Sequence, residues 1–330
     1  MQRNITESPA SSLTKFEDED LDDYSATLKA GTETMNQFES SDDDSSEEEL
    51  EEGNNSLIRD DSVQKSSGFS IGFAEDKNKK YRRSMEDSHS FFYNFGNVLG
   101  SGWFAIFDGH AGKSTAEHCG LYLHENFQKN LKESPDIPIP ELLNKTFIQT
   151  DKQLSEKKGL FSGATAIVAY IRNEIKNDKK SRVLYTANAG DSRAVLCRDG
   201  VAVRLSYDHK GSDNQEVKRI MEAGGFVMNN RVNGVLAVTR SLGDISMKEW
   251  VIGSPYTMET VLKPTDSMLI LACDGLWDVC SDQTAIDLIK DESDPQEASS
   301  KLLNYALQNM STDNLSILCI KFDKDFLVRN

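Results

Sequence analysis

Paired cysteines are missing from this sequence. Its five cysteines are odd in number and none forms a CxxC, which argues against a disulfide scaffold and for a reducing compartment, cytoplasm or nucleus. Long apolar runs are missing too. The longest is about eight residues, too short to span a bilayer, and the N-terminus MQRNITESPA has no apolar stretch of the kind a signal peptide needs. Positive charge is in deficit: 37 Lys and Arg against 54 Asp and Glu leave a net −17, a poor match to a phosphate backbone, so no nucleic-acid partner is expected. Apolar residues make up 38% and mean hydropathy is −0.52, polar for a compact protein, so the polar excess must sit somewhere.

It sits at one end. Residues 1–66 carry 19 acids and 5 bases, whereas residues 67–330 carry 35 and 32. The stretch SSDDDSSEEELEEG at 40–53 has one apolar residue in fourteen and cannot bury enough surface to offset backbone ordering. The expected organisation is a disordered acidic arm over 1–66, one domain over 67–323 and a short tail over 324–330. Ser40, Ser41, Ser45 and Ser46 precede acids, a context that acid-directed kinases favour.

Within the domain, apolar strand-like runs alternate with helical ones. Strands are expected at 69–74, 89–95, 103–107, 164–171, 183–189, 193–198, 268–273 and 315–322, rich in β-branched and aromatic residues. Helices are expected at 113–131, 140–156, 213–223, 282–290 and 295–309, with Ala116, Cys119, Leu123 and Phe127 recurring at helical spacing in the first. Short links such as Asp199-Gly200, which suits a type I′ turn, favour antiparallel pairing over a doubly wound parallel sheet. RNEIKNDKKS at 172–181 reads as a polar hairpin loop.

The informative feature is where the acids fall. WFAIF runs into Asp108-Gly109-His110, and MLILAC into Asp274-Gly275. Arg82-Arg83-Ser84-Met85-Glu86-Asp87 precedes one strand, Asp313-Asn314 another, and Asp191-Ser192-Arg193 lies between two. A carboxylate one residue beyond a buried run is held rigidly at a rim, and several converging would repel unless cations sit between them. One Asp-Gly alone is a turn signal, and Asp282 alone reads as a helix N-cap; the set together points to a metal centre. The ligands are oxygens, His110 is the only histidine in the acid-bearing segments just named, and no Cys/His spacing suits zinc, so the expected ions are Mg²⁺ or Mn²⁺. Two such ions clamp phosphate esters and acidify an attacking water. Gly112-Lys113-Ser114 mimics a P-loop, but the position that needs its first glycine is Phe107, inside a strand.

At these residues the sequence resembles the metal-dependent protein Ser/Thr phosphatases of type 2C. RRSMEDSH (82–89), FAIFDGHAG (104–112), GATA (163–166), ANAGDSR (187–193), LAVTRSLGD (236–244), LACDGLWDV (271–279) and TDN (312–314) fall in the family order, covering about 68–322. RVNGVLAVTRSLGD and LILACDGLWDV are especially similar to the fungal phosphatase 2C number one type.

The resemblance implies an α+β fold: a central β-sandwich of two antiparallel sheets flanked by α-helices, with the metals at one end. It implies that Asp108 bridges two ions, that Glu86 and the carbonyl of Gly109 help hold one, and that Asp274 and Asp313 hold the other. Asp87 and Asn314 would support these ligands, and Asp191 matches a position linked to a weaker third ion. Arg82 would bind substrate phosphate, and His110 would act as general acid. Separately, an alkoxide is a poor leaving group that needs a proton donor titrating near neutral pH, which His supplies, and an Arg fork matches a phosphate dianion.

Cys273 beside Asp274 reads as core, and Lys210-Gly211, where many members have Lys-Pro, suggests a looser backbone. The expectation is a monomeric enzyme acting on phosphoproteins, stress-activated MAP kinases by resemblance, with no membrane partner. The alternative is a phosphatase-like scaffold or sensor of weak activity, which would normally have lost Asp108, Asp274 or Asp313; all are present.

Overall fold

The computed structural model describes residues 67–176 and 178–324. The acidic arm over 1–66 and all but the first residue of the 324–330 tail lie outside the described residues. The chain forms β1 (Phe69–Asp76), β2 (Ser88–Tyr93), β3 (Gly102–His110), α1 (Ser114–Glu133), α2 (Ile139–Ser155), β4 (Gly163–Lys176), β5 (Lys179–Ala189), β6 (Arg193–Arg198) and β7 (Val201–Arg204). There follow α3 (Asn214–Glu222), β8 (Val227–Met228), β9 (Arg231–Val232), β10 (Leu242–Gly243), β11 (Tyr256–Val261), β12 (Asp266–Ala272), α4 (Asp274–Trp277), α5 (Asp282–Ile289), α6 (Pro295–Gln308) and β13 (Leu315–Phe322).

Two sheets stack, ordered β1-β13-β12-β6-β7 and β11-β5-β4-β3-β2, with β10 beside β4. Every strand pairing in them is antiparallel. Alternation along β3 shows how the layers form. Phe104 and Ile106 join Ile167, Leu271 and Leu318 between the sheets, while Trp103, Ala105 and Phe107 pack against Cys119, Leu123 and Phe127 of α1 and Phe147 of α2. On the other sheet, Met268 and Ile270 pack against Ile286 of α5 and Leu302 of α6. Helices cover both outer faces, so the central strands are apolar on both sides and read as continuous runs. The expected flanked antiparallel sandwich is what the chain builds.

The two edges of the first sheet are met by glutamines. Gln296 of α6 accepts from the Phe73 amide at 3.1 Å and donates to its carbonyl at 2.8 Å, and Gln283 of α5 accepts from the Ala202 amide of β7 at 2.9 Å. Both satisfy backbone groups that an unpaired edge would leave open.

The sequence-based expectations need three local corrections. The segment 172–181 is not a loop: β4 and β5 stay paired through it, from Arg172 opposite Val183 to Lys176 opposite Lys179, and Tyr185 of β5 reaches Glu174 across the exposed ribbon at 2.7 Å, while Arg172 at 2.5 Å and Lys176 at 3.3 Å bind Glu174 along its own strand. Asp282 is not the cap of α5; Ser281 caps it, and Asp282 instead pairs with Arg193 and Arg204, both at 2.7 Å. Lys210-Gly211 is not loose: a Cβ on Gly211 would lie 2.3 Å from the Asn230 carbonyl oxygen, so the glycine permits a tight contact. The Asp199-Gly200 turn is as expected, with φ of 54° and 74°.

Candidate active site

The two Asp-Gly pairs are contact points between chain segments. A Cβ on Gly109 would lie 2.2 Å from the Glu86 carbonyl oxygen, and one on Gly275 would lie 2.1 Å from the Asn314 carbonyl oxygen. The absent side chains let the segment 82–87 reach the end of β3 and let 313–314 reach the start of α4. Asn314 fastens these parts. Its Oδ1 accepts from the Glu86 amide at 2.9 Å, and its Nδ2 donates to the Lys77 and Ser84 carbonyls at 2.8 and 3.1 Å. Glu86 in turn accepts from the Gly112 amide at 3.1 Å and from the Ser84 hydroxyl at 3.0 Å. Asp191 reaches the same place because Ala272 at the end of β12 pairs with Arg193 at the start of β6. Gly190 there has φ 105° and a Cβ on it would meet Thr165 at 2.4 Å.

Asp108, Asp87, Asp191, Asp274 and Asp313 are thus brought together. Burial first, then repulsion from Asp274, Asp87, Asp191 and Asp313, pushes the Asp108 carboxyl well above the usual carboxylate range. Burial, Asp191, Asp313 and the exposed Asp278 do the same to Asp274. Asp87 is raised to about 6 by burial, with Asp313 adding to it, and neither of its oxygens has a hydrogen-bond partner in good geometry although Ser316 and Cys273 stand beside it. Such a site favours cations strongly. Protein cations answer part of that demand. Arg82 pairs with Asp313 and donates to the Thr312 carbonyl at 3.2 Å. Lys210 lies 3.2 Å from both Asp191 and Asp278.

Among the described residues, no three His, Cys, Asp or Glu side chains close into a metal-binding group; Asp313 and Asp191 turn to Arg82 and Lys210 instead. The donor chemistry still suits hard divalent ions: the ligand set is all oxygen, the carboxylates repel one another, and a buried carboxylate lacks partners. Cys273 is core, as expected. It is buried, its thiol donates to the Asn314 carbonyl at 3.4 Å, and burial followed by the nearby aspartates pushes it well above its ordinary range, so it is no nucleophile. Lys113, at the N-cap of α1, ion-pairs with Glu117 of its first turn at 2.9 Å, far from the role a P-loop lysine plays.

Three more site residues had been given no role: Asp244 and Asp278, inside the quoted motifs, and Lys210, noted only as a departure from them. Asp278 was findable, since it lies four residues after Asp274 and so on the same helical face. Asp244 and Lys210 lie in irregular segments with no periodicity to mark them.

An antiparallel sandwich between helical layers, with converging acids, an arginine and a histidine at one end, defines a class of phosphoester-handling proteins. Residues 71–315 match the sequence model of the family described as Protein phosphatase 2C, and the chain belongs to that family, as a protein serine/threonine phosphatase. It is 43% identical over 275 residues to Protein phosphatase 2C homolog 1 of Schizosaccharomyces pombe, covering 83% of this chain and 79% of that one. It is 45% identical over 261 residues to the Saccharomyces cerevisiae protein of the same name, covering 76% and 93%. Among solved structures, a C. elegans sex determining protein aligns with TM-score 0.70 and 27% identity over 79% of this chain and 67% of that one. A phosphatase from Toxoplasma gondii aligns with TM-score 0.67 over 78% and 94%, at 24% identity, a likeness of fold alone.

Proposed function

We propose that this enzyme hydrolyses phosphoserine and phosphothreonine in proteins with the help of two Mg²⁺ or Mn²⁺ ions. The observation that carries the reading is the convergence of Asp108, Asp274, Asp313, Asp191 and Asp87, each pushed above its ordinary carboxylate range. Asp108 would be shared by both ions, Glu86 and the Gly109 carbonyl would complete one, and Asp274 and Asp313 the other. Asp191, now paired with Lys210, is the candidate for a weaker third. When bound, the ions neutralise phosphoryl oxygens and acidify the attacking water.

The protein's own groups do the rest. Asn314 holds Glu86 in place, and the buried Asp87 would support the ligand carboxylates. Arg82, whose side chain is 46% exposed, can turn its guanidinium fork from Asp313 to a substrate phosphate. His110 at the end of β3 donates a proton to the departing serine or threonine oxygen. Family resemblance supports stress-activated MAP kinases as substrates, and the proposed setting is a monomer in cytoplasm and nucleus. The five cysteines are all free, which suits those compartments.

The deciding assay measures turnover of a phosphothreonine peptide by the metal-stripped protein with EDTA, Mg²⁺ or Mn²⁺. Activity is expected only with the cations. Full turnover in excess chelator would sink the two-ion reading.

A further inference from the structure

His110 touches an acid to which none of the roles above is given. Its Nε2 lies 2.9 and 2.8 Å from the two carboxylate oxygens of Asp244. Asp244 is 6% exposed, and three further features serve this one contact. Gly163, paired with His110 across β3 and β4, leaves the space for it: a Cβ there would lie 2.1 Å from Asp244 Oδ2 and 2.3 Å from His110 Nε2. The Ser241 hydroxyl donates to Asp244 Oδ2, which aims the carboxylate. The backbone of Asp244 is left-handed, at φ 47° and ψ 47°, a conformation that costs free energy for a non-glycine residue and persists where surrounding contacts over-determine it.

Those contacts are present. The Asp244 amide donates to the Ser162 carbonyl at 3.2 Å. The Gly243 amide donates to Asp151 of α2 at 2.9 Å, and Lys248 bridges Asp151 at 2.9 Å and the Ser241 carbonyl at 2.8 Å. The turn carrying Asp244 is therefore tied to both β4 and α2.

We propose that Asp244 is the positioning residue for the general acid: by accepting from His110 Nε2–H it fixes the ring and its tautomer, and leaves Nδ1 to face the leaving oxygen. The inference rests on His110 acting as the acid. In the step itself, water forms the new P–O bond and gives a proton to solvent. The bond to the serine or threonine oxygen breaks, its electron pair stays on that oxygen, and the Nδ1 proton joins it. The imidazolium becomes a neutral imidazole whose Nε2–H is still donated to Asp244. The Ser–His–Asp hydrolases use the same logic, an acid fixing one ring nitrogen so that the other is presented to the reaction.

The test uses the full chain with Mn²⁺ and two substrates, a phosphothreonine peptide, whose leaving oxygen needs a proton, and p-nitrophenyl phosphate, whose leaving oxygen does not. The readouts are the ratio of kcat on the two and the ¹⁵N resonances of the His110 ring. Asp244→Asn should lower the ratio on the order of 10- to 100-fold, and adding it to His110→Ala should lower the ratio no further. The neutral His110 ring should be the Nε2–H tautomer in the parent protein and lose that preference in the variant. Gly163→Ala, which wedges the pair apart, should repeat both effects. Equal losses on both substrates with unchanged ring resonances would reduce Asp244 to a brace of its turn and overturn the proposal. If His110→Ala itself leaves the ratio unchanged, the acid reading fails, while the ring resonances still decide whether Asp244 holds the histidine.

Discussion

Asp108 and Asp274 are stabilising only toward a cation. Each is pushed upward by burial and by the other acids, so in chelated protein their charges oppose folding. Asp274→Asn should therefore raise the melting temperature measured in EDTA, and should abolish most of the rise that Mg²⁺ or Mn²⁺ gives the parent by binding the folded state. Its kcat should fall more than about a hundredfold, because charge stabilisation at the phosphoryl group is lost. An unchanged melting temperature in EDTA would show that the acids do not strain the fold, and a kcat within about tenfold of the parent, under ~1.4 kcal/mol, would remove Asp274 from the site. At this scale the acids were legible because a strand that ends in Asp-Gly announces a carboxylate at a rim. What the sequence hid was the reason for the glycines, which is close approach to Glu86 and Asn314. It also hid Asp244, since the turn that carries it shows no periodic pattern.

At the scale of elements, a buried carboxylate ties α3 to the segment that follows it. Glu216 binds Arg240 at 2.6 Å, Arg219 at 2.9 Å and the Thr239 hydroxyl at 2.9 Å, joining α3 to the segment that leads to Asp244. Burial alone would raise its pKa, but the hydrogen bonds and charges of Arg240 and Arg219 outweigh it and hold the group at about 2. A depressed carboxyl contributes stability above its unfolded value, about 4.5, and loses it as pH falls toward 2. Glu216→Gln leaves two arginines without their counter-charge and should cost about 3–5 kcal/mol at pH 7, roughly 10 °C in melting temperature. Urea midpoints of parent and variant should converge as pH drops below about 4.5. A gap that stays constant down to pH 3 would mean that packing, not charge, carries the effect. Long strands and helices were legible here because the central strands read as continuous apolar runs and the helices bury a periodic face. The exposed extension of β4 and β5 was not, because its ladder carries mostly polar side chains, with Tyr185 alone reaching Glu174 across the ribbon, and propensity does not report such pairing. Strand β11 was likewise missed: its burial is patchy, with Tyr256 and Val261 exposed.

For the whole molecule, the distribution of charge is the property that the fold does not explain. Residues 1–66 carry a net −14 of the −17 total, yet every site residue named above lies after residue 81. Deleting 1–66 should leave the melting temperature and the kcat on p-nitrophenyl phosphate near those of the full chain, because a segment this poor in apolar residues has little surface to bury. Association with a basic protein partner should weaken and lose much of its salt dependence, since most of the long-range field goes with those residues. The competing arrangement has these acids occupying the cation-seeking end of the sandwich and mimicking phosphate there. Truncation would then raise kcat/KM several-fold at low salt, and the difference would close as salt screened the charge. The field of the remaining domain argues against that arrangement. With 35 acids and 32 bases after residue 66, and the site itself dominated by repelling carboxylates, a polyacidic segment gains attraction only where cations are already bound. The comparison should therefore be run both with Mn²⁺ and in chelator, reading binding of a separately made 1–66 peptide to the truncated protein. Absence of binding in both supports a passive segment, and tight Mn²⁺-dependent binding overturns it.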